Sequence, residues 1–311
     1  MDKEISQLLE RVKQAGRKPF WQCTPSEARG FPTLMKLLFG EMPSSVEIRD
    51  LSFESSDGHS VAGRLFIPQK TPAGLIVFFH GGGWVLGSVE DYHPFTATLA
   101  EKTGCAVLSV EYRLSPEHPY PAPLLDAISA LEFATSHLLP LWGTESIPLI
   151  VMGDSAGATL ATVAARHHQQ QPDNPRVALQ VLAYPVIHAR FDTSSYQRYA
   201  QDHLLTARDM RWFWDQYCPD VSMRDMPDVS PIYADLHAAP KTLLLTAELD
   251  PLRDEGEDYA DRLAALGIEC QLVRCQGLVH GFLAMINFAP SAKAAFDKIV
   301  ERIASSLTPN S

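Results

Sequence analysis

Short apolar runs recur along most of this chain, and helix-like segments separate many of them. Residues 46–53 and 61–67 alternate between apolar and polar side chains, and Ser56-Asp57-Gly58 between them is typical of a hairpin turn, so two antiparallel strands are predicted. Further apolar runs predict six more strands, at residues 75–79, 106–110, 147–152, 177–182, 242–246 and 268–273. The repeated strand–helix units predict an α/β fold, in which a mostly parallel central sheet carries helices on both faces.

One long interval interrupts this regular spacing. About sixty residues separate the sixth and seventh predicted strands, which is far more than an ordinary crossover needs. Thr206 and Asp209 within it resemble a capping pair. Apolar and aromatic residues follow them at helical spacing, and these are Met210, Phe213, Trp214 and Tyr217. An amphipathic helix is predicted, and its aromatic stripe is interpreted first as packing and, in the alternative, as ligand contact.

A second group of elements is predicted to lie outside the sheet. The N-terminal region has a helical pattern in Ile5, Leu8, Leu9 and Val12, and residues 31–39 form a short apolar cluster. We predict that helices in residues 1–45 and the inserted segment 186–237 form a helical cap over the carboxyl edge of the sheet. Residues 46–185 and 238–311 then form the main α/β domain.

Composition narrows the classes of function. The chain has 311 residues, of which 46% are hydrophobic and 20% charged, as is ordinary for a soluble globular enzyme. Its formal net charge of -11 and the lack of any basic run argue against nucleic acid or an anionic membrane as a partner. No stretch has the pattern of a signal peptide or a membrane span, so a cytoplasmic location is expected.

The cysteines carry no predicted chemistry. They are odd in number and scattered, without a C-x-x-C pair, and they are Cys23, Cys105, Cys218, Cys270 and Cys275. Free thiols are predicted, with Cys105 and Cys270 in strands. The sequence also shows no cluster of metal-ligand type, so neither a metal nor an organic cofactor is expected.

A turn between a strand and a helix provides the first candidate for chemistry. The sequence Gly153-Asp154-Ser155-Ala156-Gly157 follows the apolar run 147–152, which Gly153 is expected to end, and a helix is predicted directly after it. In a Gly-x-Ser-x-Gly turn the glycines allow a strained, closely packed backbone, which exposes the serine hydroxyl at the carboxyl edge of the sheet. Such a motif arises by chance in about one unrelated chain of this length in ten, so a harmless serine is the alternative.

A second stretch argues against chance. The apolar run 75–79 leads directly into His80-Gly81-Gly82-Gly83-Trp84. Glycines at a strand end leave backbone N–H groups bare and directed at whatever lies above the sheet, which suits an anion-accepting pocket. The two stretches together favour a nucleophilic serine beside an oxyanion hole.

A serine nucleophile needs a base to remove its proton and a third group to orient that base. In folds of this kind the nucleophile, the acid and the base follow in that chain order, each beyond a strand. His280 follows the last predicted strand, and it is the only histidine after the seventh. Glu248 and Asp250 both follow the seventh strand closely, and the pattern of residues leaves open which of them is the acid. Four acidic residues further on are predicted to form the first turn of a helix, and these are Asp254, Glu255, Glu257 and Asp258.

Five ordered motifs give the chain a resemblance to a known family. They read His-Gly-Gly-Gly-Trp, Tyr-Arg-Leu-Ser-Pro-Glu, Gly-Asp-Ser-Ala-Gly, Asp-Pro-Leu-Arg-Asp-Glu-Gly and His-Gly-Phe, at residues 80–84, 112–117, 153–157, 250–256 and 280–282. This set resembles the hormone-sensitive-lipase-like esterases, which have the α/β-hydrolase fold, and within them the bacterial acetyl esterases and related short-chain carboxylesterases. One departure is Ala158, where many members of the family carry a further glycine.

The resemblance implies roles for individual residues. It implies Ser155 as the nucleophile, His280 as the base and Asp250, rather than Glu248, as the orienting acid. It further implies that His80 is structural. The oxyanion hole would consist of three backbone N–H groups, those of Gly82, Gly83 and Ala156.

The resulting hypothesis is a serine carboxylesterase that acts on small-molecule esters with acyl groups from acetyl to about hexanoyl, through an acyl-enzyme. A cap with the bulky residues Trp212, Phe213 and Trp214 would shorten the acyl pocket. The alternatives are an amide deacetylase or a lactonase on the same triad, and a non-catalytic small-molecule binding protein on a hydrolase scaffold. Both a monomer and a homodimer fit the sequence, because members of the resembled family can pair through edge strands or the last helix. The apolar stripe of that helix, at residues 296–303, is interpreted as packing on the sheet.

Overall fold

An eight-stranded sheet forms the centre of the fold. The computed structural model of the chain describes residues 2–16, 18–30, 43–143, 147–201 and 203–307, so the predicted apolar cluster at 31–39 lies outside the described residues. The strands are β1 (Val46–Glu54), β2 (Ser60–Pro68), β3 (Leu75–Phe79), β4 (Ala106–Glu111), β5 (Leu149–Asp154), β6 (Val177–Ala183), β7 (Thr242–Leu249) and β8 (Cys270–Val279). Their order across the sheet is β1-β2-β4-β3-β5-β6-β7-β8.

The pairing of the strands agrees with the predicted fold class. β2 pairs antiparallel with β1 and with β4, and every other neighbouring pair is parallel. The predicted hairpin between β1 and β2 is confirmed, and Gly58 occupies its turn with a φ of 81°. At such a positive φ glycine has no steric penalty, which explains why the turn uses it.

Several strand ends differ from the predictions. β5 begins at Leu149 and continues through Gly153, so the expectation that Gly153 ends the strand is wrong. Gly153 pairs with Phe79 on one side and with Leu182 on the other, and these ladders carry the strand one residue further. β7 and β8 are also longer than predicted, because they resume pairing after an irregularity near Ala247.

Helices cover both faces of the sheet. The described helices are α1 (Lys3–Gln14), α2 (Pro25–Arg29), α3 (Val89–Thr103), α4 (Ala122–Phe133), α5 (Ala156–Gln169), α6 (Ser194–Arg198), α7 (Ala207–Tyr217), α8 (Arg253–Ala265) and α9 (Pro290–Leu307). Successive residues of β3 are buried in two separate hydrophobic clusters, which shows that both faces of this strand are covered. One cluster receives side chains from α4, α5 and α8, and the other receives them from α1, α3 and α9.

The inserted helix and the last helix pack as predicted. α7 begins with a capping box in which Thr206 and Asp209 bond each other's backbone N–H groups, which confirms the predicted pair. The four residues of its apolar stripe are all buried, so the packing interpretation is confirmed. In α9, Phe296, Ile299 and Ile303 are likewise buried against the sheet.

The cysteines and the acidic first turn differ in detail from the predictions. All five cysteines are free thiols, and Cys270 lies in a strand as predicted, at the start of β8, but Cys105 lies one residue before β4. Glu255 is fully buried in the first turn of α8 and accepts a hydrogen bond from the Ile187 N–H at 2.7 Å. Its carboxylate therefore ties the chain beyond β6 to α8 in addition to any effect on the helix dipole.

Candidate active site

Ser155 lies at a sharp turn between β5 and α5. Its φ is 52° and its ψ is -123°, a conformation that non-glycine residues rarely adopt. The Ser155 N–H donates to the Ala183 carbonyl at 2.9 Å, which fixes the turn to the end of β6. A Cβ atom at Gly153 would overlap the Gly157 backbone, and one at Gly157 would overlap the Phe79 carbonyl. The two glycines therefore permit the close approach that places the Ser155 hydroxyl at the carboxyl edge of the sheet.

A row of hydrogen bonds joins Ser155 to two residues beyond later strands. The Nε2 atom of His280 lies 2.9 Å from Ser155 Oγ, and its Nδ1 atom lies 2.8 Å from Asp250 Oδ2. Asp250 is fully buried, and its other oxygen accepts the Leu252 N–H at 2.9 Å. With both carboxylate oxygens occupied, Asp250 holds the His280 ring in one orientation toward Ser155.

Glu248, the other candidate acid, has a different partner. It lies within β7 and accepts the Gly277 N–H at 2.6 Å, near the end of β8. This contact holds the segment that leads to His280. The structure thus brings Asp250, and not Glu248, against the imidazole.

Two further residues support the site and were not singled out by the sequence reasoning. Tyr184 follows β6 with a φ of 38°, and its ring meets His280 edge-on at a centroid distance of 4.8 Å. Asp154 precedes Ser155 and is buried, and it accepts hydrogen bonds from the Gly81 N–H at 2.8 Å and the Tyr92 hydroxyl at 3.0 Å. Burial raises the pKa of Asp154 to about 6. For Asp154, the position inside the serine motif was a sequence signal that could have identified it. Tyr184 had no such signal.

His80 supports the glycine-rich segment from within. Its imidazole is fully buried, stacks on Tyr112 at a centroid distance of 4.4 Å and places Nδ1 2.7 Å from the Gly81 carbonyl. Desolvation by this burial lowers the pKa of His80 to about 4, so the ring is neutral at neutral pH. The Tyr112 hydroxyl donates to the His80 carbonyl at 2.7 Å. These contacts fit a structural role.

The segment after His80 forms a tight turn, which we call the glycine turn and define as residues 81–86. Gly82, Gly83 and Trp84 have φ values of 117°, 61° and 61°. The Gly82 carbonyl accepts the Leu86 N–H at 2.9 Å, which closes the turn. Asp154 anchors its first residue, so the glycine turn is fixed directly to the serine turn.

The helix α7 packs on the outside of the glycine turn. A Cβ atom at Gly83 would overlap the ring of Phe213, so this ring lies directly against the Gly83 backbone. The indole of Trp84 stacks on Tyr217 at a centroid distance of 4.1 Å. Phe213 also contacts Phe20 of the N-terminal segment, with ring centroids 5.4 Å apart. The inserted segment and the N-terminal segment therefore meet beside the candidate site.

The third predicted donor, Ala156, is the first residue of α5. The first N–H groups of a helix have no partner within the helix, and the helix dipole makes this end attractive to negative charge. Among the described residues, no group of three or more His, Cys, Asp or Glu side chains is arranged to hold a metal ion. No helix in the described ranges is both long and apolar enough to cross a bilayer.

These features define a class of protein. A mostly parallel sheet, a serine on a strained strand-to-helix turn, and a histidine that reaches it from beyond the last strand are the marks of the α/β hydrolases. A model of the family described as alpha/beta hydrolase fold matches residues 76–284. The chain belongs to this family, in its hormone-sensitive-lipase-like group.

The chain is similar to named esterases over nearly its whole length. An ethyl acetate hydrolase of Pseudomonas putida is 34% identical over 305 residues, which cover 96% of this chain and 95% of that protein. The crystal structure of a thermostable esterase from Pseudomonas putida has a TM-score of 0.90 at 31% identity, covering 99% of this chain and 98% of that one. A hyperthermophilic esterase from the archaeon Pyrobaculum calidifontis has a TM-score of 0.90 at 32% identity, with 97% of each chain covered.

Proposed function

We propose that this chain is a serine carboxylesterase that hydrolyses esters of short acyl groups, from acetyl to about hexanoyl, by two-step acyl transfer. By its family the chain is a carboxylic ester hydrolase. The observation that carries the proposal is the row of hydrogen bonds in which His280 joins Ser155 Oγ at 2.9 Å to Asp250 Oδ2 at 2.8 Å. This row matches the relation of nucleophile, base and orienting acid that serine acyl transfer requires.

The first step forms the acyl-enzyme. His280 Nε2 takes the proton from Ser155 Oγ while Oγ attacks the ester carbonyl carbon. The carbonyl oxygen becomes an oxyanion, and the His280 imidazolium then gives its proton to the alcohol oxygen as the C–O bond breaks. Asp250 stays ionised throughout. It accepts the hydrogen bond from the Nδ1–H of His280 and stabilises the positive charge on the ring.

The second step releases the acid. Water takes the place of the alcohol, His280 removes a proton from it, and the resulting nucleophile attacks the acyl carbon of the acyl-enzyme. Collapse of the second oxyanion returns the proton to Ser155 Oγ. In both steps the N–H groups of Gly82, Gly83 and Ala156 donate hydrogen bonds to the oxyanion, and the N-terminus of α5 adds its dipole.

The position of Phe213 supports the short acyl range. Its ring is 3% exposed and lies against Gly83, so it occupies space directly beside the proposed oxyanion hole. Phe213 also contacts Phe20, which lines a cleft of about 430 Å³ between α1 and the start of α7. A long acyl chain directed this way would meet the phenyl ring before it reached the cleft.

The catalytic assignment is tested by replacing the nucleophile. We expect wild-type protein to hydrolyse p-nitrophenyl acetate and butyrate, and Ser155→Ala to lose about 10⁶-fold in kcat, which is beyond detection in most assays. The exposed Ser136 provides a matched control, since Ser136→Ala should keep full activity. Substantial turnover by folded Ser155→Ala would rule out the assignment. A folded wild type that turns over no ester would rule out the esterase proposal.

The acyl range is tested at Phe213. Phe213→Ala should raise kcat/KM for p-nitrophenyl octanoate relative to the acetate by about tenfold or more, because each accommodated methylene in an apolar pocket is worth about that factor. The exposed Leu141 lies outside α7 and the glycine turn, and Leu141→Ala is the control that should leave the ratio unchanged. Equal ratios in all three proteins would show that Phe213 does not limit the acyl group.

A further inference from the structure

The glycine turn has a backbone conformation that needs support from outside. Three consecutive residues have positive φ values, and one of them, Trp84, carries a side chain. Such conformations persist only where the surrounding structure fixes them. Asp154 holds the first residue of the turn, and the Ser115 N–H donates to the Trp84 carbonyl at 2.8 Å. A further support acts on Val85, near the other end of the turn.

Arg29 supplies that support from the N-terminal segment. It is the last residue of α2, and its Nε–H donates to the Val85 carbonyl at 2.8 Å. One Nη2–H donates to the Ser115 carbonyl, also at 2.8 Å. A single planar guanidinium therefore joins the glycine turn to the loop that follows β4. The same loop also binds the turn directly, through the Ser115 N–H.

A carboxylate fixes the guanidinium in this position. Glu117 accepts hydrogen bonds from both terminal nitrogens of Arg29, at 2.9 Å and 2.7 Å. The hydrogen bonds from Arg29 hold the pKa of Glu117 down to about 2, so the partner stays ionised at neutral pH. Arginine presents several donors in a rigid fork, whereas lysine offers one flexible ammonium group that cannot make the same set of contacts at once.

We propose that Arg29 is a positioning residue for the oxyanion hole, and that the N-terminal segment thereby takes part in catalysis without touching the substrate. This inference rests on the proposed function, in which the Gly82 and Gly83 N–H groups bind the oxyanion. Arg29 acts through Val85 and Ser115, which hold the glycine turn in its strained conformation. The alignment of the two N–H groups matters most in the transition state, when the oxyanion forms.

Steady-state kinetics of Arg29→Met and Arg29→Lys test the proposal. We expect kcat for p-nitrophenyl acetate to fall by about tenfold or more in Arg29→Met with a smaller change in KM, since loss of a whole oxyanion donor costs about 10²–10³. Affinity for a trifluoromethyl ketone, which forms a tetrahedral oxyanion on a serine, should fall by the same factor as kcat/KM. Arg29→Lys should recover only part of the loss.

The control is a second cation of the same segment. Lys18 pairs with Glu27 at 3.7 Å and is largely exposed, so Lys18→Met should keep kcat and ketone affinity at wild-type values. Wild-type kcat in folded Arg29→Met, or a loss confined to melting temperature, would overturn the proposal. Should Arg29→Met fail to fold, wild-type kcat in Arg29→Lys would overturn it as well. Activity of Ser155→Ala distinguishes failure of this proposal from failure of the proposed function. If the proposed function were wrong, the Ser155→Ala variant would stay active.

Discussion

Two carboxylates near His280 differ in what they bind, and this difference predicts how their variants behave. Asp250 bonds the imidazole, so Asp250→Asn should favour the wrong tautomer of His280 and lower kcat by about 10⁴. Glu248 bonds the Gly277 N–H, so Glu248→Gln keeps an acceptor there and should lower kcat far less. Kinetics of the two variants at pH 7 distinguish them. A larger loss in Glu248→Gln would show that Asp250 is not the orienting acid.

Asp154 and His80 make opposite contributions to the pH dependence of stability. The pKa of Asp154 rises from 3.8 to about 6, so the folded state binds the extra proton in this window and the Asp154 contribution falls as pH rises. The pKa of His80 falls from 6.5 to about 4, so the unfolded state binds the extra proton and the His80 contribution increases with pH. Between about pH 4 and 6 the two trends offset each other.

Removal of one titrating group should therefore expose the other. In Asp154→Asn we expect the free energy of unfolding to increase more steeply with pH than in the wild type between about pH 4 and 6. Urea denaturation at several pH values in this window measures the slopes directly. The substitution keeps an amide oxygen to accept the Gly81 N–H, so the link between Asp154 and the glycine turn is kept. Equal slopes in the two proteins would show that the pKa of Asp154 is not raised in the folded state.

The helix α7 depends on one residue for both its start and its attachment. Asp209 caps the helix with Thr206 and also accepts the Trp21 N–H at 3.1 Å. Thr206→Ala should lower the free energy of unfolding by about 1 kcal/mol, as is usual for a lost cap. Asp209→Ala should cost more, because it also removes the acceptor of the Trp21 N–H. Chemical denaturation of both variants makes the comparison, and equal losses would show that the Trp21 contact adds nothing.

The sequence predicted the strands and α7 where the pattern of neighbouring residues was sufficient. Alternation located β1 and β2, short apolar runs located the other six strands, and the capping pair located the start of α7. Strand ends were missed because they depend on pairing with neighbours, as at Gly153, which continues β5 through its contacts with β3 and β6. The burial of Glu255 was also missed, since its partner Ile187 is far away in the sequence.

For the candidate site the same limit applies. Chain order was sufficient to propose Ser155 and His280, but it left Glu248 and Asp250 open, because both follow the same strand at nearly the same distance. Only the three-dimensional structure separates their partners. No sequence pattern predicted the contacts of Arg29 and Tyr184. Their partners lie far away in the sequence, at Val85 and Ser115 for Arg29 and at His280 for Tyr184.

At the scale of the whole molecule, the N-terminal segment connects separate parts of the site. The Asp2 N–H donates to the Gly277 carbonyl at 3.2 Å, near His280, and Trp21 binds α7 through Asp209. Arg29 holds the glycine turn. We propose that the N-terminal helices and the inserted segment 186–237 act together as a cap, because Phe20 and Phe213 meet beside the glycine turn.

The first helix secures this arrangement through the core. Ile5 is fully buried in the hydrophobic cluster beneath the sheet. Ile5→Ala should lower the free energy of unfolding by about 2–5 kcal/mol, the usual cost of such a cavity. Glu10 of the same helix is exposed, and Glu10→Ala should change the stability by less than about 0.5 kcal/mol. Urea denaturation of the two variants compares them, and a small effect at Ile5 would mean that α1 contributes little to the folded state.

The two ends of the described chain lie at opposite edges of the sheet. Leu307, at the end of α9, packs near Gly74, which directly precedes β3 and lies at the edge opposite Ser155. Asp2, in contrast, binds Gly277 near the end of β8, the strand that leads to His280. A fusion partner or a solid support joined beyond α9 would therefore lie at the edge of the sheet opposite Ser155, whereas the same attachment beside Asp2 would lie closer to His280. Immobilisation of this esterase for use in a reactor should be made through its C-terminal side.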